Sequence, residues 1–127
     1  MSIFITSNEP PNIRELFSET AIETPMDFDF LLYTKKGPVA IERKAIPGDL
    51  LASVTDGRLY RELTAMRGVS SIYIVLLHGH FTFRQDGALV IPGARQAARG
   101  WTKAGISNLL RTIEYAEGAY IEWAYND

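Results

Sequence analysis

A chain of 127 residues is the size of one domain, and chains of this size hide roughly two-thirds of their unfolded surface; 46% hydrophobic and 22% charged residues are the balance of an ordinary globular protein. No apolar run approaches the roughly 18 residues of a membrane helix, no basic flank precedes an apolar stretch at the N-terminus, and zero cysteines exclude a disulfide framework, a thiolate nucleophile and cysteine-based metal sites. The net charge of −2 conceals a segregation: six acids face one base in residues 1–34, twelve bases face five acids in 35–111, and 112–127 carry four acids and no base. An intracellular protein with a basic middle is the expectation, a pattern that permits nucleic-acid binding without requiring it.

In chain order, Ile3–Thr6 reads as a short strand closed by the turn-prone Ser7-Asn8-Glu9-Pro10-Pro11. Asn12 can cap a helix over 13–20, with Ile13, Leu16 and Phe17 at helical spacing. Residues 28–34 and 38–44 read as a hairpin around Lys35-Lys36-Gly37. Asp49 starts a helical stretch to about Met66, interrupted at Asp56-Gly57, where a second cap is expected. Ser71–Leu77 is a continuous apolar run and predicts a buried central strand. Phe81–Ile91 alternates around Gln85-Asp86-Gly87, a second hairpin or an extended excursion. Thr102 or Ser107 opens a helix to about Ala116, Gly118 ends it, and Ala119–Ala124 is a last strand. This order predicts an α/β sandwich around a mixed sheet.

The hairpin concentrates the chemistry. With Lys36-Gly37 as the turn, Asp29 opposes Lys44 and Leu31 opposes Glu42. Alternation then puts Phe28, Phe30, Leu32, Val39 and Ile41 on a core face, and Asp27, Asp29, Glu42 and Lys44 together on the other. A slip of one residue would break this match. Crowded carboxylates repel unless a cation sits between them, and hard oxygen ligands suit Mg²⁺ or Mn²⁺. Acid, acid and lysine on adjoining strands form a phosphodiester-cleaving arrangement, with Lys44 orienting the attacking water and steadying negative charge. A plain solvated strand face is the alternative reading of the same triplet.

The run Ile41-Glu42-Arg43-Lys44-Ala45-Ile46-Pro47-Gly48-Asp49-Leu50, followed by Ser53-Val54-Thr55-Asp56-Gly57-Arg58-Leu59-Tyr60, resembles the nuclease domain of the XPF/Mus family, the ERCC-type endonucleases. The resemblance is specific over 28–66 and weaker out to 127. It implies a restriction-endonuclease-like three-layer sandwich with a mixed central sheet flanked by helices (the PD-(D/E)xK superfamily), dependence on Mg²⁺ or Mn²⁺, and cutting of branched or flapped DNA containing single-strand/double-strand junctions. Position by position it implies Asp29 and Glu42 as metal ligands, Lys44 as the catalytic lysine, and Arg43 as the arginine between them. Asp49 matches the trailing aspartate, Arg58 the arginine of Gly-Arg-Leu-Tyr, and a homodimer or partner protein is implied as well. Three positions depart from the family pattern. Phe28 replaces a glycine, Gly48 pushes Asp49 one place late so that it serves as ligand support or only as a helix cap, and of the opening strand's motif Glu9 alone remains. Whether Glu9 or Asp27 joins the metal site stays open.

Outside the hairpin, Arg95, Arg99, Lys103 and Arg111 lie in an acid-free stretch from Gly87 to Ile113. They read either as a phosphate-tracking surface with Trp101 stacking or as a solvated face with Trp101 in the core. His78 and His80 lack further ligands at metal spacing and are set outside the catalytic set. The aromatic end, Tyr115, Tyr120, Trp123 and Tyr125, is expected to pack in the core, with a dimer surface as the rival. The resulting expectation is one XPF-like nuclease domain over 1–127, without a helix-hairpin-helix domain, acting as a metal-dependent DNA endonuclease. A non-catalytic DNA-binding or pairing module and a junction resolvase or restriction-like enzyme remain as alternatives.

Overall fold

The computed structural model describes residues 2–6, 21–24, 26–91 and 100–124. The expected helix over 13–20, together with Glu9, Arg95, Arg99 and Tyr125, lies outside these residues. Eight strands and three α-helices are present among them: β1 Ser2–Thr6, β2 Ala21–Thr24, β3 Phe30–Thr34, β4 Gly37–Ile46, α1 Gly48–Thr55, α2 Arg58–Val69, β5 Ile72–Gly79, β6 Thr82–Phe83, β7 Leu89–Val90, α3 Lys103–Arg111 and β8 Tyr120–Ala124, with a π-helical turn at Thr112–Ala116 between α3 and β8. The strands form a mixed six-stranded sheet in the order β2-β1-β3-β4-β5-β8, while β6 and β7 pair as a separate hairpin. β1 runs parallel to β2 and antiparallel to β3, β3 and β4 are antiparallel, and β4, β5 and β8 are parallel. The architecture is an α/β sandwich, as the element order predicted. β2 was missed because four residues without alternation give no period to read.

The β3–β4 hairpin turns one residue earlier than expected. Thr34 pairs with Gly37 across a Lys35-Lys36 loop, and Phe30 pairs with Ile41, so the register is displaced by two residues from the predicted one. The Thr34 hydroxyl holds this loop, donating to Gly37 O at 2.7 Å and accepting from Lys36 N at 3.2 Å. A two-residue displacement preserves side-chain parity, so Asp29, Glu42 and Lys44 still share a face.

Which face is buried differs from the expectation. Ala40, Glu42, Lys44 and Ile46 are the buried positions of β4, because α1 and α2 lie against that strand. Leu50, Leu51, Leu59, Leu63 and Met66 from these helices join Leu31, Ala40 and Ile46 in one core, together with Tyr73, Val75 and Leu77 of β5 and Ile106, Leu109 and Ile113. Phe28 also enters this core, since the bend at 27–29 interrupts strand alternation before β3. Phe30 and Ile5 are buried but belong to the opposite face, being cross-strand partners.

The segment from β4 to α1 is tightly built. Gly79, at the end of β5, has φ +110°, and a Cβ there would lie 2.7 Å from Ile46 O; only glycine lets β5 close against the strand that carries Glu42 and Lys44. α1 begins at Gly48 with Pro47 in the cap position and no side-chain cap. Asp49 is therefore a first-turn residue rather than the expected starting cap, and its carboxylate favours the positive end of the helix. α2 starts after Gly57, at φ +81°, while the Asp56 carboxylate accepts from Arg58 N at 2.9 Å. The expected cap at Thr102 is present, its Oγ1 accepting from Gly105 N at 3.1 Å.

Candidate active site

Three segments meet at one cleft of about 640 Å³: the bend before β3, the far half of β4, and the N-terminal turns of α1 and α2. The bend supplies Asp27 and Asp29, β4 supplies Glu42 and Lys44, and the helices supply Asp49, Arg58, Arg61 and Glu62. Asp29 is held from two sides. Its backbone N donates to Ile41 O at 3.2 Å and its Oδ2 accepts from Arg43 N at 2.7 Å.

Glu42 and Lys44 are only 3% and 2% exposed, which excludes the solvated-face reading of the hairpin. Lys44 Nζ lies 3.1 Å from Glu42 Oε2 and 2.8 Å from Glu62 Oε1. Glu42 Oε1 is buried and accepts no hydrogen bond from a protein donor. Burial first, then the negative charge of Asp29 and the hydrogen-bonding reach of Glu62, push the Glu42 carboxyl up to about 10, with Lys44 partly opposing. Without a cation, Glu42 therefore keeps its proton at neutral pH. Burial works against charge on Lys44, but Glu42 and Glu62 outweigh it and raise its pKa above the ordinary lysine value. Lys44 stays an ammonium.

Glu62 and Arg61 escaped the reading of the sequence. Once Asp56-Gly57 sets the start of α2, Arg58, Arg61 and Glu62 stand at i, i+3 and i+4 on one helix face, which is the face that lines the cleft. Arg58 sits on the rim, exposed, with Nε 2.8 Å from Asp56 Oδ2. The Arg58 backbone N–H, followed by its guanidinium, holds Asp56 below the usual carboxylate range.

Arg43 behaves otherwise than expected. Alternation along β4 sends its side chain to the face opposite Glu42 and Lys44, where Nη1 lies 2.7 Å from His78 Nε2. The Arg43 guanidinium therefore stands on the other face from Glu42 and Lys44, beside His78, while its backbone N–H bonds to Asp29 in the site. Asp49 is exposed on the cleft rim.

Lys103 is exposed at the first position of α3, and Trp101 is half-buried, packed against the core. Tyr115, Tyr120 and Trp123 are 81%, 59% and 41% exposed. The expectation that they pack into the core is overturned; Trp123, 41% exposed, packs edge-on against Phe81. No helix among the described residues is long and apolar enough to cross a membrane. No group of three or more His, Asp or Glu side chains with metal-holding geometry occurs among them either.

Comparisons with known proteins bear on the fold. Among solved structures, "XPF from Aeropyrum pernix" is similar with a TM-score of 0.64 and 16% identity, over 99% of this chain and 57% of that one. The structure titled "XPF from Aeropyrum pernix, complex with DNA" gives a TM-score of 0.63 and 18% identity, over 98% of this chain and 56% of that one. The chain thus spans little more than half the length of those proteins, and the likeness is one of fold. No curated protein matches. The ERCC4 domain family model matches residues 2–124: the chain belongs to the ERCC4 domain family, with the fold of an XPF-type nuclease domain.

Proposed function

We propose that this domain is a metal-dependent endonuclease that hydrolyses phosphodiester bonds in branched or flapped DNA. The observation that carries the reading is the convergence of Asp29, Glu42 and Lys44 at one cleft, with Glu42 Oε1 buried and unsatisfied. That orphaned oxygen beside a second carboxylate fits a hard divalent cation. A pair of carboxylates suits Mg²⁺ or Mn²⁺, since Mg²⁺ is commonly held by one or two carboxylates and completes its shell with water and substrate phosphate. Asp29 and Glu42 would hold the ion, which would lower the pKa of water and polarise the phosphoryl oxygen.

The chain's own residues do the rest. The Arg43 N–H fixes the Asp29 carboxylate, and Glu42, protonated without a cation, would give up that proton to serve as a ligand. Lys44, an ammonium with Nζ 2.8 Å from Glu62 Oε1 and 3.1 Å from Glu42 Oε2, acts as a fixed positive charge toward the phosphate and as an orienter of the attacking water. A proton-accepting role does not suit it. Arg58 and Arg61 on the rim, together with Lys103, Arg95 and Arg99, are the residues proposed to contact DNA phosphates. Asp49 supports from the rim. A second copy of the chain or a partner protein is proposed to cover the exposed Tyr115, Tyr120 and Trp123.

The test is a panel of labelled flap, fork, four-way-junction and linear duplex DNAs incubated with Mg²⁺, Mn²⁺ or chelator. Cutting of the branched substrates only with metal, lost in Asp29→Asn, is expected. Binding without cutting under every metal condition would overturn the assignment and leave a DNA-binding module.

A further inference from the structure

On the proposed reading Lys44 would present a cation to the phosphate while Glu42, which reaches Lys44 through Oε2, would share its charge with an ion at Oε1. The remaining partner is Glu62, whose Oε1 is the nearer of the two at 2.8 Å from Nζ. Glu62 stands on α2, one turn after the helix start that Asp56 and Gly57 define, and α2 is locked to the core by Leu59, Leu63 and Met66, each fully buried. Its position therefore belongs to a rigid element rather than to the hairpin. We propose that Glu62 is a positioning residue: from a second, separately packed element it anchors the Lys44 ammonium at the cleft, independently of the charge that Glu42 would share with an ion. This inference rests on the nuclease reading of the site, and it adds a residue for which neither the hairpin motif nor its spacing gave a role.

The experiment compares Glu62→Ala and Glu62→Gln with wild type by two readouts. In steady-state cleavage of a flap DNA with saturating Mg²⁺, Glu62→Ala is expected to lower kcat by about 10–100-fold, the usual cost of losing a supporting partner, with KM within about threefold. Glu62→Gln, which keeps an acceptor but not the charge, is expected to recover part of that loss. The second readout needs neither metal nor DNA. Acetylation of Lys44 by acetic anhydride, followed by mass spectrometry against the exposed Lys36, is expected to be slow in wild type, faster in Glu62→Ala and intermediate in Glu62→Gln, at temperatures where melting curves show all three folded. Wild-type kcat in Glu62→Ala, a matched rise in KM that accounts for its whole loss, or unchanged protection of Lys44 would each overturn the proposal. A wild-type protein that cuts no DNA would instead defeat the nuclease reading, and the amine protection would still report on the Glu62–Lys44 tether.

Discussion

A buried carboxyl that keeps its proton couples stability to pH, and Glu42 offers the means to measure this. In the unfolded chain the Glu42 carboxyl ionises near 4.5; in the folded, metal-free protein it holds its proton up to about 10. Between these values the folded state binds one more proton than the unfolded state, so stability is greatest at the acid end and falls as pH rises. One proton corresponds to a slope of at most about 1.4 kcal/mol per pH unit. Glu42 is only 3% exposed, so little solvent screening reduces that limit. From pH 6 to 8 the loss is then at most about 2.7 kcal/mol, or on the order of 10 °C in melting temperature for a domain of this size. The assay is urea denaturation in chelator at pH 6, 7 and 8, for wild type and Glu42→Gln. The glutamine keeps the shape and cannot titrate, so the stability difference between the two proteins is expected to shift toward the variant as pH rises. Saturating Mg²⁺ is expected to flatten the wild-type slope, because the ion replaces the proton. Parallel pH profiles for the two proteins in chelator would refute the reasoning.

Other expectations follow from the same coordinates. Lys44→Ala leaves the Glu62 carboxylate without its nearest cation; it should abolish cutting and also lower stability by about 1–3 kcal/mol in denaturant titration, so its effect on activity is to be read only below its melting range. Asp29→Asn keeps an oxygen to accept from Arg43 N and removes a charge; calorimetry should show Mg²⁺ affinity reduced by about tenfold or more with the melting temperature retained in chelator. Arg58→Ala with Arg61→Ala should weaken DNA binding and reduce the slope of log affinity against log salt by up to about two, seen by fluorescence anisotropy at several salt concentrations. Gly79→Ala forces a Cβ toward Ile46 O at positive φ and should cost about 2–4 kcal/mol in thermal or urea melts.

The two residues that most define the site were visible in the sequence for a reason that misled about their surroundings. Glu-x-Lys at period two correctly assigns Glu42 and Lys44 to one strand face, and this survives the altered turn because the displacement is even. Their flanks on that same face, Ala40 and Ile46, are both apolar, which already marks the face as one that something covers. The exposed reading came from weighting the charges above their neighbours. The Thr34 hydroxyl decides the turn, and no pattern of hydrophobicity encodes it. The helix starts at Gly48 and Arg58 were nearly legible, since Gly48, Asp56 and Gly57 are local punctuation.

What no local pattern could supply is the meeting of β4 with α2. A strand period and a helix period are each readable, but the contact of Lys44 with Glu62 depends on how α2 lies across the sheet, and that is settled by Leu59, Leu63 and Met66 packing against Ala40, Tyr73 and Val75 as one core. The apolar side of the helix therefore decides the chemistry of its polar side: with those three residues buried, Arg58, Arg61 and Glu62 are turned along the cleft. A lysine buried with two carboxylates is costly to assemble unless the scaffold holds all three in place. The same enclosure that imposes this cost opposes charge on both groups: it keeps the Glu42 carboxyl protonated, while Lys44 stays an ammonium against it because Glu62 Oε1 lies 2.8 Å from Nζ.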